Sequence, residues 1–203
     1  MVSSWKPRYN IAPHQNVLTI VTFNGARRLM NMRWGLKPHW AKPHQKLPLA
    51  INARENQLTS SGMWREPFRQ SRCLIPADGF YEWSGTKGTR QPWFIRLASG
   101  EPMALAGLYD VWRGEQEELH SCSIITTGPN DLMRTIHNRM PVILQNDAIN
   151  VWLDPDNGDP EKLLPLLHPY PDGSLEAWQV STAVGNVQNN YQGLTERWEL
   201  TGR

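Results

Sequence analysis

The chain has 203 residues, 39% of them hydrophobic and 20% charged, which is typical of a soluble globular protein and excludes a disordered one. No apolar run reaches the roughly 18 residues of a membrane span, no secretory signal is visible, and the two cysteines, Cys73 and Cys122, do not form a disulfide framework. The net charge of +2 hides an asymmetry, because residues 1–54 carry nine of the 21 basic residues and none of the 19 acidic ones.

The predicted elements begin with a β-hairpin. Residues 17–23 and 27–35 are rich in strand formers and flank Asn24-Gly25, a strong hairpin signal. Residues 36–48 form a loop with three prolines, and residues 55–72 are compatible with a helix that Pro67 should break. Further strands are expected at residues 73–76, 79–83, 93–97, 104–112, 121–127, 140–144 and 178–180, and short helices at 130–136, 147–153 and 160–167.

This series of short strands predicts an α+β fold with a largely antiparallel, barrel-like β-sheet core and short peripheral helices. No repeat, linker or low-complexity tract divides the chain, so we expect a single domain over residues 1–203. The motifs of P-loop nucleotide hydrolysis, dinucleotide binding, zinc catalysis and the serine hydrolase elbow are all missing from the sequence. We therefore expect no metal and no cofactor.

Three polar segments are candidates for chemistry. Asn52 and Arg54 follow an apolar stretch, and His137 and Arg139 lie between a predicted helix and a predicted strand. Glu82 lies in an aromatic strand, where a period of two puts it on the face opposite to its two neighbours. Crowding by rings favours the protonated carboxyl and suits a general acid. The alternatives remain open, since an edge-strand glutamate can point into water and a lone histidine is more often structural.

The basic N-terminal quarter and the tryptophan content suggest an anionic partner. Ten tryptophans are present, four of them in the first 64 residues. Basic side chains interleaved with aromatic rings suit a groove that follows a nucleic-acid backbone and stacks its bases. A soluble domain with a basic face and tryptophans in its core explains the same composition, and composition alone favours that simpler explanation.

Six blocks in order resemble one family, the SRAP domain (SOS response-associated peptidase), over about residues 8–190. The blocks are Arg8-Tyr9-Asn10-Ile11-Ala12-Pro13, Met32-Arg33-Trp34-Gly35-Leu36 with Pro38 and Trp40, Ile51-Asn52-Ala53-Arg54-Glu55, the stretch from Cys73 to Trp83, Ile136-His137-Asn138-Arg139-Met140-Pro141, and Val184-Gly185-Asn186-Val187. The resemblance implies a sensor of abasic sites in single-stranded DNA. In that family an N-terminal cysteine captures the ring-opened aldehyde as a thiazolidine, using its amine and its thiol.

The resemblance also implies roles for individual residues. Asn52 would orient the sugar, Glu82 would move the proton that opens the ring, and His137 would handle protons at the imine step. The DNA-binding residues that it implies are Arg8, Asn10, Pro13, Trp40, Arg54, Trp83 and Arg139. Their arginines would hold phosphates, and their rings and proline would stack on or wedge between bases. The expected partner is single-stranded or junction DNA with abasic sites, bound by a monomer in a bacterial cytoplasm or a nucleus.

The sequence departs from the family pattern at its start. It begins Met1-Val2-Ser3-Ser4-Trp5, where the family has Met-Cys-Gly-Arg and some tens of residues before the Tyr-Asn-x-Ala-Pro block. Neither internal cysteine has a free α-amine, so we expect non-covalent, salt-dependent binding of single-stranded DNA without a thiazolidine. Two alternatives stay open: an (auto)peptidase, as the family name suggests, and a degenerate, non-covalent DNA-binding module in which Glu82 and His137 have no part.

Overall fold

A computed structural model describes residues 6–45, 47, 50–86 and 88–198. The strands are β1 Asn16–Phe23, β2 Ala26–Trp34, β3 Asn52–Arg54, β4 Arg72–Ala77, β5 Phe80–Ser84, β6 Gln91–Leu97, β7 Met103–Arg113, β8 Glu118–Thr127, β9 Met140–Pro141 and β10 Leu175–Gln179. The α-helices are α1 Arg65–Gln70, α2 Asp131–Arg134, α3 Asn146–Leu153 and α4 Pro160–Leu163. Short 3-10 turns lie at Glu55–Gln57, Leu164–Leu166, Thr182–Gly185 and Gln192–Thr195.

The core of the fold is a closed barrel of five strands, in the order β2-β1-β4-β7-β8 with β8 pairing back to β2. The pairs along this order are antiparallel. The closing pair is parallel and short, with Arg33 opposite Ser121 and Trp34 opposite Cys122. The predicted α+β fold with a barrel-like sheet is thus confirmed, and the parallel closure is a feature that the sequence did not predict.

The β1–β2 hairpin forms as predicted. Asn24 and Gly25 have φ values of 51° and 71°, the left-handed conformation that a two-residue hairpin turn requires and that these two residue types tolerate best. Phe23 therefore pairs with Ala26, and the register continues to Asn16 opposite Arg33. The hairpin thereby carries the end of β2 to its contact with β8.

Two further strands extend β8 beyond the barrel. β3 pairs with it in parallel, with Asn52 opposite Ile124 and Arg54 opposite Thr126. β9 pairs with it antiparallel, with Pro141 opposite Thr126. The C-terminal end of β8 therefore gathers the segments that carry Asn52, Arg54 and His137, which lie far apart along the chain.

A second, three-stranded antiparallel sheet has the order β10-β6-β5. Its buried residues Phe94 and Trp178 form a separate cluster with Val180, Val184 and Leu194. β5 is an edge strand of this sheet, since β6 is its only strand partner among the described residues. The side of β5 that faces away from β6 therefore has no strand partner in that part of the chain.

Helices α1 and α3 pack on the barrel around β4. Leu74 of β4 packs with Phe68 of α1 and Trp152 of α3, while its neighbours Cys73 and Ile75 pack on the other face of the strand. Helix α1 contains Pro67, so the prediction that this proline breaks a helix was wrong. Pro67 is the third residue of α1 and lies in the first turn, where the backbone N–H groups have no partner within the helix. In the part of the chain that the structure describes, no helix is long and apolar enough to cross a membrane.

Candidate functional site

Glu82 and His137, predicted as catalytic residues, lie against each other. The Oε2 of Glu82 is 3.7 Å from the Nδ1 of His137, and their side chains are 26% and 42% exposed. The other carboxylate oxygen accepts a hydrogen bond of 3.0 Å from the N–H of Trp83. One oxygen of Glu82 is therefore fixed by its own strand, and the second faces the imidazole at a surface that solvent reaches.

The strand β5 places Glu82 by alternation, as the sequence predicted. Phe80 packs into the cluster that covers one face of the barrel wall, whereas Tyr81 and Trp83 pack against the cluster of the small sheet. The turn before the strand is equally constrained, because a Cβ at Gly79 would lie 2.4 Å from the Phe94 ring and 2.6 Å from the Ile95 carbonyl oxygen. Only glycine lets the chain approach β6 this closely at the start of β5.

Asn52 and Arg54 present their side chains together on β3. Both are exposed, and Ala53 between them is fully buried. The strand is anchored by the carbonyl oxygen of Ile51, which accepts hydrogen bonds from the indole Nε1 of Trp34 at 2.9 Å and from the N–H of Ile124 at 3.0 Å. Within the described residues neither the Asn52 amide nor the Arg54 guanidinium has a hydrogen-bond partner, so both are available to a ligand.

Arg139, predicted to hold a phosphate, is instead committed within the protein. Its Nε donates to the Thr126 Oγ1 at 3.1 Å, and one terminal nitrogen donates to the same hydroxyl at 3.0 Å. That nitrogen also donates to the Thr126 carbonyl oxygen and to the Glu55 carboxylate. The guanidinium therefore ties the segment after His137 to β8 and to the turn that follows β3. Its other terminal nitrogen has no hydrogen-bond partner among the described residues.

Asn10, also predicted to contact DNA, is 8% exposed. Its amide nitrogen donates to the carbonyl oxygens of Val184 at 3.0 Å and Asn186 at 3.2 Å. The prediction does not agree with this geometry, because both amide protons are used to join the N-terminal segment to the loop near residue 185. The Val184-Gly185-Asn186-Val187 block therefore has a structural role, since its carbonyl oxygens hold the N-terminal segment.

Arg8 and Pro13 lie in the segment that leads to β1. The exposed Arg8 donates to the Gln15 side-chain oxygen at 2.5 Å and to the carbonyl oxygen of Asn16. Pro13 is half-buried in a turn that is held on β2 by a bond from the His14 N–H to the Trp34 carbonyl oxygen. The Trp34 indole in turn donates to the carbonyl oxygen of Ile51, the residue before Asn52. Trp34 therefore links the segment of Arg8 and Pro13 to β3.

The two predicted stacking tryptophans differ in availability. Trp40 is 49% exposed, but its loop is attached at Ser121, whose Oγ accepts from the Lys37 N–H at 2.9 Å. Ser121 is five residues before Thr126, about 17 Å along a strand, so the attachment of the Trp40 loop lies far from the contact between Arg139 and Thr126. Trp83 is half-buried and packs against the cluster of the small sheet, so much of its ring is already covered.

The chain is similar to known proteins in sequence. Residues 1–187 match the family described as SOS response associated peptidase (SRAP). The chain belongs to the SRAP family. It is 45% identical over 194 residues to the abasic site processing protein YoqW of Bacillus subtilis, which covers 95% of this chain and 87% of that protein. It is 32% identical to the abasic site processing protein HMCES of Xenopus tropicalis, over 92% of this chain and 64% of that protein.

Solved structures share the fold of this SRAP chain. A protein from Bacteroides thetaiotaomicron has a TM-score of 0.79 at 25% identity, over 95% of this chain and 82% of its own. A phage-related protein from Bordetella bronchiseptica has a TM-score of 0.70 at 30% identity, over 87% of this chain and 83% of its own. The family resemblance predicted from six sequence blocks is therefore confirmed.

The SRAP chain also contains a contact at the candidate site that sequence reasoning missed. The Tyr81 hydroxyl donates to the Tyr9 carbonyl oxygen at 2.8 Å, and the Tyr9 N–H donates to the Asn190 side-chain oxygen at 2.7 Å. Burial raises the pKa of Tyr81 to about 12. The chain ahead of Asn10 is thus fixed to the strand that carries Glu82. The alternating pattern of β5 placed Tyr81 opposite to Glu82, but nothing local identified its partner.

Neither cysteine of this SRAP chain is suited to attack a substrate. Cys73 and Cys122 are both fully buried, and burial raises the pKa of Cys122 to about 12 and that of Cys73 well above its usual range. Among the described residues, no hydroxyl or thiol hydrogen-bonds to Glu82 or His137, and no group of three side chains is placed to hold a metal ion. Residues 1–5, where the expectation of a missing leading cysteine falls, lie outside the described residues.

Proposed function

We propose that this chain recognises abasic sites in single-stranded DNA and that the Glu82–His137 pair faces the abasic sugar. The observation that carries the proposal is the 3.7 Å approach of the Glu82 Oε2 to the His137 Nδ1 at a partly exposed surface. Relatives at 45% and 32% identity are named abasic site processing proteins, which supports the same substrate class here.

The pair has the chemistry that an abasic deoxyribose requires. The closed sugar is a hemiacetal, and opening it removes the proton of the C1′ hydroxyl, breaks the bond from C1′ to the ring oxygen and protonates that oxygen. Glu82 can take the first proton and return it to the ring oxygen, so the step consumes nothing. The aldehyde that results is electrophilic, and His137 is placed to exchange protons when an amine adds to it and water leaves.

The DNA strand is held by a smaller set of residues than the sequence suggested. Arg54 is exposed beside Asn52 and has no protein partner in the described part of the chain, so it is the leading phosphate ligand. Arg8 adds a second exposed cation on the N-terminal segment, and Trp40 and Pro13 remain proposed stacking or wedging groups. Asn10 leaves the set because carbonyl oxygens take both of its amide protons. Arg139 ranks behind Arg54 because its Nε and one terminal nitrogen are bonded within the protein.

A binding comparison tests the proposal. Two fluorescent single-stranded oligonucleotides, identical except for one abasic site, are titrated with the wild-type chain and with Glu82→Gln and His137→Gln variants. We expect the wild type to prefer the abasic strand and both variants to lose that preference, with binding of the intact strand unchanged. Glu101→Gln, the same chemical change at an exposed glutamate, serves as the control. Equal affinity of the wild type for both strands would overturn the proposal.

A covalent test asks separately whether a leading cysteine is needed. A thiazolidine needs an amine and a thiol on one residue, and both cysteines of the printed sequence are internal and buried. On denaturing gels, the 203-residue chain should give no heat-stable adduct with abasic DNA. A chain extended by a leading segment that begins Met-Cys-Gly-Arg should give one. A heat-stable band from the 203-residue chain would contradict this expectation.

A further inference from the structure

The segment that carries His137 is held by a neighbour with a carboxylate partner. Between α2 and β9, the Arg139 guanidinium contacts Thr126 through its Nε and one terminal nitrogen and pairs with the Glu55 carboxylate. The two charged side chains are only 23% and 26% exposed. A partly buried ion pair of this kind is screened less by salt than a surface pair, so it can fix the backbone of Arg139.

That backbone meets the reactive ring directly. The His137 Nδ1 lies 3.2 Å from the Arg139 N–H, a donor, and 3.3 Å from the Arg139 carbonyl oxygen, an acceptor. The third neighbour, the Glu82 Oε2 at 3.7 Å, is also an acceptor. A neutral ring whose Nδ1 accepts the Arg139 N–H must carry its proton on Nε2. A doubly protonated ring instead directs an Nδ1–H toward the Arg139 carbonyl oxygen and the Glu82 carboxylate.

We propose that Glu55 is a positioning residue for His137, acting through Arg139 to hold the neutral imidazole in the Nε2–H tautomer with its Nδ1 toward Glu82. The ion pair sets where the Arg139 N–H lies, and that N–H, the nearest of the three neighbours, favours the Nε2–H tautomer against the two acceptors that an Nδ1–H would face. The role deepens the proposed function and rests on it, because a proton-exchanging His137 is what makes the choice of tautomer matter to abasic DNA.

A competing role for Arg139 gives opposite expectations. If the guanidinium bound a phosphate of the strand, the Glu55 carboxylate would compete with that phosphate, and removing its charge would strengthen DNA binding. The slope of log K for DNA binding against the logarithm of the salt concentration would then steepen by about one. If Glu55 positions His137, Glu55→Gln leaves the salt slope unchanged and removes the preference for the abasic strand.

The decisive measurement is the ring nitrogen spectrum. Long-range ¹H–¹⁵N correlation of uniformly labelled protein, at a pH where His137 is neutral, reports the tautomer, and His137→Gln assigns the signal. In the wild type and in the Glu101→Gln control we expect well-separated shifts of the Nε2–H form. In Glu55→Gln the two nitrogen shifts should move toward each other as the second tautomer is populated. Glu55→Asp, which keeps the charge on a shorter side chain, should restore part of the separation.

The outcomes separate this inference from the proposed function. An unchanged His137 spectrum in a folded Glu55→Gln variant overturns the positioning role, and so does a salt slope that steepens by about one. If Glu55→Gln does not fold, Glu55→Asp gives the same test, since a spectrum identical to the wild type would contradict dependence on the position of the carboxylate. If the His137 spectrum shifts in Glu55→Gln but the wild type binds abasic and intact DNA equally, the positioning role of Glu55 stands and the proposed function is rejected.

Discussion

Two arginines hold different segments of this molecule, and they do so with different partners. Arg72 is 5% exposed and donates only to backbone carbonyl oxygens, those of Phe68, Arg69, Trp152 and Asp154. Arg139 is partly exposed and pairs with a carboxylate and a threonine beside His137. The first secures the architecture, and the second secures the segment that carries a candidate catalytic group.

The difference follows from what each location lacks. The last carbonyls of α1 and α3 have no donor within their helices, and Arg72 supplies one to both helix ends at distances of 2.5–2.9 Å. Burial lowers the pKa of Arg72, although the neighbouring Asp154 raises it. At the site, the Arg139 side chain instead joins the segment around His137 to a carboxylate and to a threonine. Arg72 therefore binds neutral backbone acceptors, whereas Arg139 binds a charged partner.

The largest expected effect comes from removing the buried arginine. Arg72→Met keeps the length of the side chain but leaves four carbonyls without their donor, so we expect the free energy of unfolding to fall by about 3–5 kcal/mol. The melting temperature of a domain of this size should fall by roughly 10 °C. Arg69→Met, an exposed change on helix α1, whose last carbonyls Arg72 binds, should cost less than about 0.5 kcal/mol in urea denaturation. Equal losses of unfolding free energy in the two variants would show that the hydrogen bonds of the Arg72 guanidinium do not stabilise the fold.

A smaller effect is expected where the N-terminal segment meets β5. Tyr81→Phe removes the hydrogen bond to the Tyr9 carbonyl oxygen and should cost about 1 kcal/mol. Because burial raises the pKa of Tyr81 from 10.0 to about 12, the unfolded phenol loses its proton first. This contribution to stability is present below pH 10 and is lost as the pH rises through 12.

Stability curves measured from pH 8 to 12 test this prediction. The Tyr81→Phe variant should lose less stability over the alkaline range than the wild type. Tyr191→Phe, at a tyrosine that is 51% exposed, should follow the wild-type curve. If Tyr81→Phe follows it as well, the contact to the N-terminal segment does not contribute to stability.

The smallest change in stability should come from the exposed cation of the site. Arg54 has no partner in the described residues, so Arg54→Ala should alter the free energy of unfolding by no more than about 0.5 kcal/mol. It should weaken binding of single-stranded DNA and lower the salt slope by about one. Arg113→Ala, at an exposed arginine paired with Glu118, is the matched control. If Arg113→Ala changed the salt slope and Arg54→Ala did not, the DNA would bind at a different surface from the one that Arg54 occupies.

The features that sequence reasoning predicted well are local. The hairpin followed from Asn24-Gly25, whose backbone angles are those its turn requires, and the placement of Glu82 followed from the alternation of one strand. The parallel pairing that closes the barrel joins β2 to a strand about 90 residues later. No local pattern encodes such a contact, so the sequence could predict a barrel-like sheet but not how it closes.

The site shows the same limit. The family blocks identified Glu82 and His137, which the structure brings together. They also selected Arg139 and Asn10, whose roles depend on distant partners such as Glu55 and Val184. A residue type specifies what a side chain can bind, and only the fold shows whether a protein group has already bound it. Pro67 is a related case, since its effect depends on where the helix begins.

The edge position of β5 has a consequence for association between molecules. A closed barrel offers no free strand to a second chain, but an edge strand presents unpaired backbone groups that another strand could extend. On β5 that edge bears a carboxylate, which already holds the N–H of Trp83. Charged side chains on an edge oppose strand-to-strand aggregation, so a second strand that added to β5 would have to displace the hydrogen bond between Glu82 and the Trp83 N–H.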